Sequence, residues 1–526
     1  MKKVLICALA LSIVFSTSAC GKKANESASA PSETPLDYWC KLETVHRTSV
    51  STLGDLDFYK AVQEKTGVKV NFIHPPAGQE MEQFNLMISS RDYPDIIESG
   101  WMTMSGGPEK AIQDKIILPL NEIVDKYAPN YKKVLEENEL VRKAFYTDEG
   151  NLYSFGPVSL KSDISVGGLM IRRDWLKDLG LESPTSLEEW ENVLKRFKEE
   201  KGAEAPFSVD KERMESVMLF SDAFGIGSSF YVDGDNHIKY GPAQPEYKEY
   251  LQLMNKWFTA GYIDNGLFTN TSNIVEAKVL NSQSGAFFGY VGSVMGRLFP
   301  AATDDKFDIV GVTIPSVKTG EPATPYTSGV KTDKGGYGYG LVSNAALSTK
   351  NKNIEASAKF LDFLYTDEGK MLKLFGTEGK TYNMVNGKPV YTDLITHDPD
   401  GLPVADAMGK YFRATYPSPG FINDENYFAQ YYTYPQQTES VEIFSSDIDK
   451  AVAFGLPPIS PTADEANEVS TLVSTINTYK NEMFAKFVMG TEPISNYDKY
   501  LETLESMQLQ KVLDIYSEAI KRYEKR

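Results

Sequence analysis

Helical and strand patterns alternate along this chain, and the alternation limits the folds that it can adopt. The segment from Asp55 to Lys65 places apolar residues on one helical side, and Gly67 follows where a left-handed cap is favoured. Residues 68–72 then alternate apolar and polar side chains, as strands do. Because strands that alternate with helices usually pair in parallel, we predict an α/β fold with a largely parallel sheet.

A second helical unit follows near the middle of the chain. Asp174 is placed to cap a short helix that Gly180 can end. Thr185 and Glu188 have the spacing of a capping box, and apolar residues recur on one face of the helix that follows. Trp190 lies on that face, so we predict that it belongs to the core.

The first nineteen residues have the layout of a secretory signal peptide. Lys2 and Lys3 precede an apolar stretch, and small residues follow up to Ala19. The apolar stretch has roughly a dozen residues, fewer than the ~20 that a membrane-spanning helix needs. We therefore predict that residues 1–19 are removed during export.

Cys20 follows the signal peptide and precedes a polar tract. This pattern resembles the bacterial lipobox, which implies that Cys20 is acylated, for example with palmitate, and that residues 20–36 form a lipidated, flexible tether. Thr17 stands where the lipobox usually has leucine, so cleavage that leaves Cys20 as a free thiol stays open. Because two or three acyl chains hold a protein firmly, we expect an anchor on the outer face of the cell membrane.

Length and charge restrict the remaining chain. About 490 residues exceed what one compact core usually holds, so we predict two or more lobes. Loss of Lys2 and Lys3 leaves 52 of the 54 basic residues against 72 acidic ones, which argues against nucleic acid as a partner. Cys40 is the only cysteine left in the folded body, and we predict a small buried residue. We expect a monomer without a cofactor.

Four stretches, in this order, resemble the family 1 extracellular solute-binding proteins, the maltose-binding-like sugar receptors of ABC importers. They are residues 60–72, 171–197, 284–290 and 359–383. The last stretch is the most specific, because Leu-Tyr-Thr-Asp-Glu-Gly and Glu-Gly-Lys-Thr-Tyr-Asn recur in a fixed order. The nearest subgroup is the large lipoproteins of Gram-positive bacteria.

The resemblance implies a type II two-lobed fold that holds a ligand in the cleft between its lobes and closes around it. It suggests a first lobe of residues 37–158 plus 312–378 and a second lobe of residues 159–311 plus 379–526. The implied partners are an oligosaccharide and the permease subunits of an ABC importer.

The chain departs from many large relatives at their calcium site. Those relatives carry an acidic, EF-hand-like loop after the helix that ends near Phe197, but residues 198–206 lack the alternating Asp and Asn ligands. Residues 233–236, Asp-Gly-Asp-Asn, lack a later bidentate Glu and are better suited to a hairpin turn. We therefore predict no metal at either place.

Two aromatic residues are the leading candidates for contact with a sugar, whose apolar face suits a flat ring. Trp101 follows a predicted strand, where open α/β sheets place their ligands. The alternative is a loop aromatic that packs on its own lobe. Tyr290 ends a strand of small and aromatic residues, after which related sugar receptors place a cleft aromatic.

Four further residues are candidates on weaker signals. Tyr337 and Tyr339 alternate with glycines that would let a ligand approach the backbone, although only one of them is expected to face the cleft. Tyr153 precedes the first proposed crossing between lobes, and Arg173 offers a fork of donors for hydroxyls or a carboxylate. A hinge contact or a surface ion pair is the alternative for each. Trp257 is predicted to be helix core.

The chain lacks the common catalytic motifs. There is no His-Glu-x-x-His, no Gly-Lys-Ser/Thr phosphate loop and no Gly-x-Ser-x-Gly elbow, and the four histidines are scattered and predicted at the surface. Abundant carboxylates leave a secreted carbohydrate-active enzyme open, and a glycan-sensing receptor would have a similar cleft. The predicted function is capture and delivery of an oligosaccharide without catalysis.

Overall fold

The computed structural model describes residues 34–159, 165–330, 343–413 and 417–526. Its strands, in chain order, are β1 (Leu36–Trp39), β2 (Val70–Ile73), β3 (Ile96–Ser99), β4 (Pro157–Ser159), β5 (Gly167–Arg172), β6 (Phe207–Ser208), β7 (Phe230–Val232), β8 (Ile238–Tyr240), β9 (Ala286–Tyr290), β10 (Ile309–Gly311), β11 (Tyr326–Val330), β12 (Asn344–Leu347), β13 (Tyr382–Val385), β14 (Lys388–Tyr391), β15 (Gly420–Asn423) and β16 (Ala453–Gly455).

The α-helices lie between and after these strands. They are α1 (Thr44–Arg47), α2 (Asp57–Thr66), α3 (Glu80–Ser90), α4 (Gly107–Gln113), α5 (Asn121–Tyr127), α6 (Pro129–Glu137), α7 (Glu139–Phe145), α8 (Arg173–Leu179), α9 (Leu187–Glu200), α10 (Lys211–Val217), α11 (Pro245–Thr259), α12 (Ser272–Leu280), α13 (Gly296–Ala301), α14 (Ile354–Asp362), α15 (Asp367–Phe375), α16 (Asp393–Thr396), α17 (Val404–Tyr411), α18 (Glu425–Tyr431), α19 (Pro435–Lys450), α20 (Ala463–Met489), α21 (Tyr497–Ser506) and α22 (Leu509–Tyr523). No helix within the described ranges is both long and apolar enough to span a bilayer.

Local signals in the sequence place several helix ends correctly. Helices α2 and α8 end where Gly67 and Gly180 adopt left-handed backbone angles, with φ of 68° and 63°. The cap of α9 lies one residue later than predicted, because Ser186 rather than Thr185 accepts a hydrogen bond from the backbone amide three residues on, that of Glu189. Other starts lie two residues from the prediction, since α2 begins at Asp57 rather than Asp55 and Arg172 rather than Asp174 is the N-cap of α8. Helix termini are thus readable from sequence to within about two residues here.

The sheet of the first lobe has the strand order β12-β3-β1-β2. β1 pairs in parallel with β2 and β3, whereas β12 is antiparallel to β3. The main sheet of the second lobe has the order β10-β5-β9-β6, and β5 is antiparallel to both of its neighbours. The α/β class is confirmed, but the prediction of a largely parallel sheet is wrong for the second lobe.

Chain crossings between the lobes explain the mixed strand directions. β5 and β12 are the first strands after a crossing, so each enters its lobe from the side of the other lobe. Tyr290, the last residue of β9, pairs with Gly167 at the start of β5, and Ser99 at the end of β3 pairs with Asn344 at the start of β12. Strands that enter from the crossing therefore run opposite to strands that end there.

Two large hydrophobic cores define the lobes. One core draws its residues from Leu36 to Val158 and again from Ala345 to Tyr427. The other draws on residues from Leu169 to Val312 and again from Ala453 to Val512. A smaller cluster on the opposite face of β9 belongs to the second lobe. The protein is therefore two-lobed, with each lobe assembled from discontinuous segments.

At two places, the boundary between the lobes lies later in the chain than the sequence predicted. Val312 packs in the core of the second lobe, so residues that follow it do not yet belong to the first. Tyr382, Tyr391 and Met408 pack in the core of the first lobe, although residues 379–526 were predicted in the second. The physical reason is aromatic packing, since the rings of Tyr382 and Tyr391 lie 5.9 and 5.4 Å from that of Phe375.

The chain passes between the lobes at three places. The first crossing joins β4 to β5, the second joins β11 to β12, and the third lies between Tyr427 and Phe444. β4 and β15 pair in parallel, which sets the start of the first crossing beside the start of the third. We call this two-stranded pairing, from which two of the crossings start, the β4–β15 hinge.

Candidate ligand-binding cleft

The strand ends that adjoin the crossings mark the walls of the interlobe cleft. In the second lobe, β9 ends at Tyr290, and the amide of Val291 donates to the carbonyl oxygen of Val166 in the first crossing at 2.9 Å. In the first lobe, β3 ends at Ser99 beside the start of β12. Strand ends of this kind are where α/β proteins usually build ligand sites.

Tyr290 is a half-buried residue on the second-lobe wall. Its ring lies against Gly167, where a Cβ atom would come within 2.7 Å of the ring. The ring of Phe288 approaches it edge-on, with 5.5 Å between centroids. A side chain at residue 167 would displace the tyrosine, so glycine at the start of β5 is what allows this ring to lie at the cleft edge.

Arg213 completes this part of the wall. It lies in α10, which Asp210 caps by accepting a hydrogen bond from the Arg213 amide at 3.0 Å. Its guanidinium carbon lies 5.0 Å from the centroid of the Tyr290 ring and 5.9 Å from that of Phe288. Sequence reasoning missed Arg213 because β6, the strand before it, has only two residues and is too short to recognise from a pattern.

Aromatic side chains also line the third crossing. The rings of Tyr427 and Tyr431 stack at 5.3 Å, and those of Phe428 and Tyr432 stack at 5.9 Å. Tyr431 packs over Gly292, where a Cβ atom would overlap its ring. Since Gly292 follows β9, this contact joins the third crossing to the wall that carries Tyr290.

The first-lobe wall contains a buried ion pair close to the end of β3. Arg413 donates to Glu98 through Nη2 at 2.9 Å and to the hydroxyl of Tyr59 through Nη1 at 2.6 Å. Glu98 also accepts hydrogen bonds from the hydroxyls of Tyr38 and Ser343, each at 2.7 Å. Burial alone would raise the pKa of Glu98, but the arginine charge and these donors together hold that pKa below its usual value.

This ion pair ties two crossings to one strand. Ser343 follows the second crossing, and Arg413 precedes the third, while Glu98 lies on β3. Next to Ser343, the side chain of Asn344 is fully buried, and its amide has no hydrogen-bond partner within the described part of the chain. The first lobe therefore has buried polar groups beneath this part of its wall.

The family of the protein follows from its match to known sequences. The family model for bacterial extracellular solute-binding proteins matches residues 53–371, which is more than half of the chain. The chain belongs to this family. The solute-binding protein is thus extracytoplasmic, and its two lobes with a cleft between them are those of a binding protein.

Relatives and solved structures agree with this assignment along most of the chain. The fructooligosaccharide ABC transporter substrate-binding protein FusA of Streptococcus pneumoniae serotype 4 is 24% identical over 495 residues, which cover 88% of this chain and 86% of FusA. Lipoprotein LipO of Bacillus subtilis is 23% identical over 390 residues, 70% of this chain and 71% of LipO. The crystal structure of the alginate-binding protein AlgQ2 without calcium ion matches with a TM-score of 0.75 at 24% identity, covering 95% of this chain and all of that one.

Trp101 is a core residue of the solute-binding protein and not a cleft residue. Its side chain is fully buried, and its indole nitrogen donates to the carbonyl oxygen of Ile97 at 3.3 Å. Its ring meets that of Phe84 edge-on at 5.7 Å. The prediction of ligand contact is corrected because no surface of Trp101 is open to a ligand, which leaves the alternative of packing on its own lobe.

Tyr153 and Arg173 are also placed away from a ligand. Tyr153 is fully buried, and its hydroxyl donates to the carbonyl oxygen of Ala144 at 3.0 Å. Arg173 lies at the end of β5 remote from the cleft, where its donors bind the carboxylates of Asp308 and Glu439 at 2.7 to 3.0 Å. The fork that was proposed for a ligand is therefore filled by two carboxylates of the protein.

Tyr290 alone among the described candidates lies at the cleft edge, and its contact with ligand stays a prediction. Tyr337, Tyr339 and Cys20 lie outside the described residues. Trp190, Trp257 and Cys40 are fully buried, as predicted.

One of the four histidines lies in the core. His46 is fully buried and donates from Nδ1 to the carbonyl oxygen of Gly409 at 2.7 Å, so the prediction of four surface histidines is wrong.

Residues 233–236 form the predicted hairpin turn between β7 and β8. Asp233, Asp235 and His237 offer ligand atoms within 4.8 Å of one another, but Asp233 already accepts from the amides of the other two.

Proposed function

We propose that this solute-binding protein captures an oligosaccharide between its lobes and presents it to the permease subunits of an ABC importer. The observation that carries the proposal is the half-buried ring of Tyr290 at the cleft edge, with Phe288 beside it. Aromatic rings suit the apolar C–H faces of sugars. The carbohydrate ligands named for FusA and AlgQ2 support the same ligand class.

Capture and delivery follow from lobe closure. Closure about the β4–β15 hinge would bury the ligand and create a second shape that a permease can distinguish from the open one. In this proposal the oligosaccharide leaves the protein chemically unchanged, and the protein acts as a monomer.

We further propose that Cys20 carries the lipid that holds the protein at the outer face of the membrane. Removal of residues 1–19 would expose this cysteine, and the name of the relative LipO supports a lipoprotein. Metabolic labelling with a palmitate analogue should mark the wild type and not Cys20→Ser. An unlabelled wild type would refute the anchor.

A glycan screen tests the ligand class. A ligand that binds only the folded state stabilises it by about 2.7 kcal/mol at a hundredfold excess over Kd, so a binding oligosaccharide should raise the melting temperature. The sugar should be recovered intact by mass spectrometry. Recovery of cleaved sugar would favour the carbohydrate-active enzyme, and a panel without any thermal shift would overturn the proposal.

Two tyrosine variants test the place of binding. Tyr290→Ala should weaken the bound oligosaccharide at least tenfold, whereas Tyr262→Ala should leave its affinity unchanged. Tyr262 is also half-buried, but its carbonyl accepts from Phe207 at the start of β6, away from the cleft. Equal affinities in both variants would remove Tyr290 from the site. Cells that lack the protein should no longer take up the same sugar if the protein serves an importer. Unchanged uptake in these cells would favour a glycan-sensing receptor.

A further inference from the structure

The guanidinium of Arg213 is a charged group at the second-lobe wall. No hydrogen bond or ion pair reaches its side chain from the described residues. Apart from the exposed Arg91, every other arginine donates to a carboxylate or a carbonyl oxygen: Arg47, Arg142, Arg172, Arg173, Arg196, Arg297, Arg413, Arg522 and Arg526. Arg213 therefore stands apart within a chain that pairs its arginines consistently.

Among the described residues, the surroundings of Arg213 supply aromatic contact but no carboxylate paired with it. The guanidinium lies over the rings of Tyr290 and Phe288, an arrangement that stabilises the cation through the ring faces. Asp210 caps the helix and Glu215 pairs with Lys211 at 3.7 Å, while the exposed Glu212, the other acidic residue of this helix, makes no ion pair with Arg213. Stacking holds the guanidinium plane while its N–H edge keeps its capacity to donate.

Arg213 lies where two crossings meet the second-lobe wall. Its partner Tyr290 adjoins the first crossing through Gly167, and the following turn meets Tyr431 of the third crossing at Gly292. Arg213 is half-buried at this junction. At this partly desolvated position, a ligand that brings a matching anion can form charge-assisted hydrogen bonds with the guanidinium.

We propose that Arg213 binds the carboxylate of a uronate unit, so that the ligand of this protein is an acidic oligosaccharide. The inference rests on the proposed function and adds the charge of the ligand and the residue that selects it. A guanidinium fork matches a carboxylate with two parallel hydrogen bonds, whereas a sugar hydroxyl uses only one donor at a time. The chain carries a net charge of −18, so a polyanion would be repelled unless the cleft held a cation.

The test compares sugars that differ only in charge. Titration calorimetry would use purified tri- to hexasaccharides of galacturonate, mannuronate, guluronate and glucuronate, and the methyl esters of each series. We expect one acidic series to bind and its ester to bind at least tenfold more weakly. Arg213→Gln should weaken the acidic ligand by about 10- to 100-fold and leave the weak affinity for the ester unchanged. Arg213→Lys should fall between wild type and Arg213→Gln, because it keeps the charge and loses the fork.

A control and a neutral panel complete the design. Arg196→Gln removes an arginine of the same lobe that pairs with Glu200 on the surface, and it should bind like the wild type. Fructo- and malto-oligosaccharides serve as neutral probes. If a neutral sugar binds tightly and Arg213→Gln binds it equally well, the acidic ligand is excluded while the proposed function stands. If neither acidic nor neutral sugars bind, both proposals fail.

Discussion

Glu98 and Arg413 lie 315 residues apart in the sequence, yet each is almost completely buried against the other. Removing two charges from water is costly, and only close geometry with further hydrogen bonds offsets that cost. Here Tyr38, Tyr59 and Ser343 supply those bonds. The pair therefore stabilises one arrangement of β3 relative to two crossings.

Removing one member of this pair should be severe. Glu98→Gln leaves the Arg413 charge buried without its counter-charge, and we expect the free energy of unfolding to fall by about 3 to 5 kcal/mol in urea titrations. Glu355→Gln is the control, because Glu355 pairs with Lys359 on an exposed helix face of the same lobe. It should unfold like the wild type. Equal stability of Glu98→Gln and wild type would contradict the role assigned to the pair.

His46 should make the stability depend on mildly acidic pH. Burial lowers the pKa of His46 to about 4, whereas an unfolded histidine titrates near 6.5. Between these values the unfolded chain binds a proton that the folded chain does not, so stability falls as pH drops from 6.5 to 4. The loss attributable to this one group is about 3 kcal/mol.

The measurement compares urea unfolding of wild type and His46→Asn at several values between pH 7 and pH 4. Asparagine can still donate to the Gly409 carbonyl but does not titrate, so its stability should decline less steeply. Carboxylates such as Glu98 add their own acid dependence to both proteins, and the difference between the two curves isolates His46. Parallel curves would show that His46 does not carry this effect.

At the scale of elements, strand direction follows from how the chain enters each lobe. β5 and β12 begin beside a crossing, and both are antiparallel to the strands that end there. The pattern of apolar residues in these strands is the same for either direction. Pattern alone therefore predicts a strand but not its orientation.

Helix α2 offers a clean test of an element boundary. Gly67 ends the helix with φ of 68°, and a Cβ atom there would meet nothing within 4 Å. Gly67→Ala should therefore cost only the strain of the left-handed backbone, about 1 kcal/mol in the free energy of unfolding. Gly54→Ala is the matched control, since Gly54 lacks a left-handed φ and its Cβ would make an ordinary contact with Phe72 at 3.5 Å. A larger loss of unfolding free energy in Gly54→Ala than in Gly67→Ala would contradict this explanation.

At the scale of the whole molecule, the lobes also meet away from the crossings. Asp148 lies just after α7 in the first lobe and accepts from Arg522 and Arg526, each at 2.7 Å. Arg522 belongs to α22, whose residues pack in the core of the second lobe. This contact gives the two lobes a second point of attachment beyond the β4–β15 hinge.

Asp148→Asn should weaken that attachment. The change leaves the buried Arg526 without its carboxylate and leaves Arg522 with Glu465 alone. We expect a loss of about 3 kcal/mol together with a broader or split thermal transition in calorimetry. Asp178→Asn breaks the exposed pair with Lys201 inside the second lobe and should keep a single transition at the wild-type temperature. An unchanged transition in Asp148→Asn would mean that the contact does not couple the lobes.

Sequence reasoning determined the class, the lobes and most local elements of this protein, because apolar periodicity, caps and length act over short distances. The family resemblance added the cleft and Tyr290. Trp101 and Tyr153 were misassigned because an aromatic residue near a strand end has the same pattern whether it packs inward or faces a ligand. Only the tertiary structure decided between those cases, since burial depends on distant segments.

Only the tertiary structure showed the ion pair of Glu98 with Arg413 and the stacking of Arg213 on Tyr290. Each joins residues far apart in the chain, and neither leaves a local pattern. The sequence by itself determined the α/β class and the local elements, because such patterns survive in any arrangement, and its resemblance to the solute-binding family implied the cleft and the binding function. The tertiary structure decided which candidate aromatic residues are buried, because burial depends on how three crossings bring separate segments together.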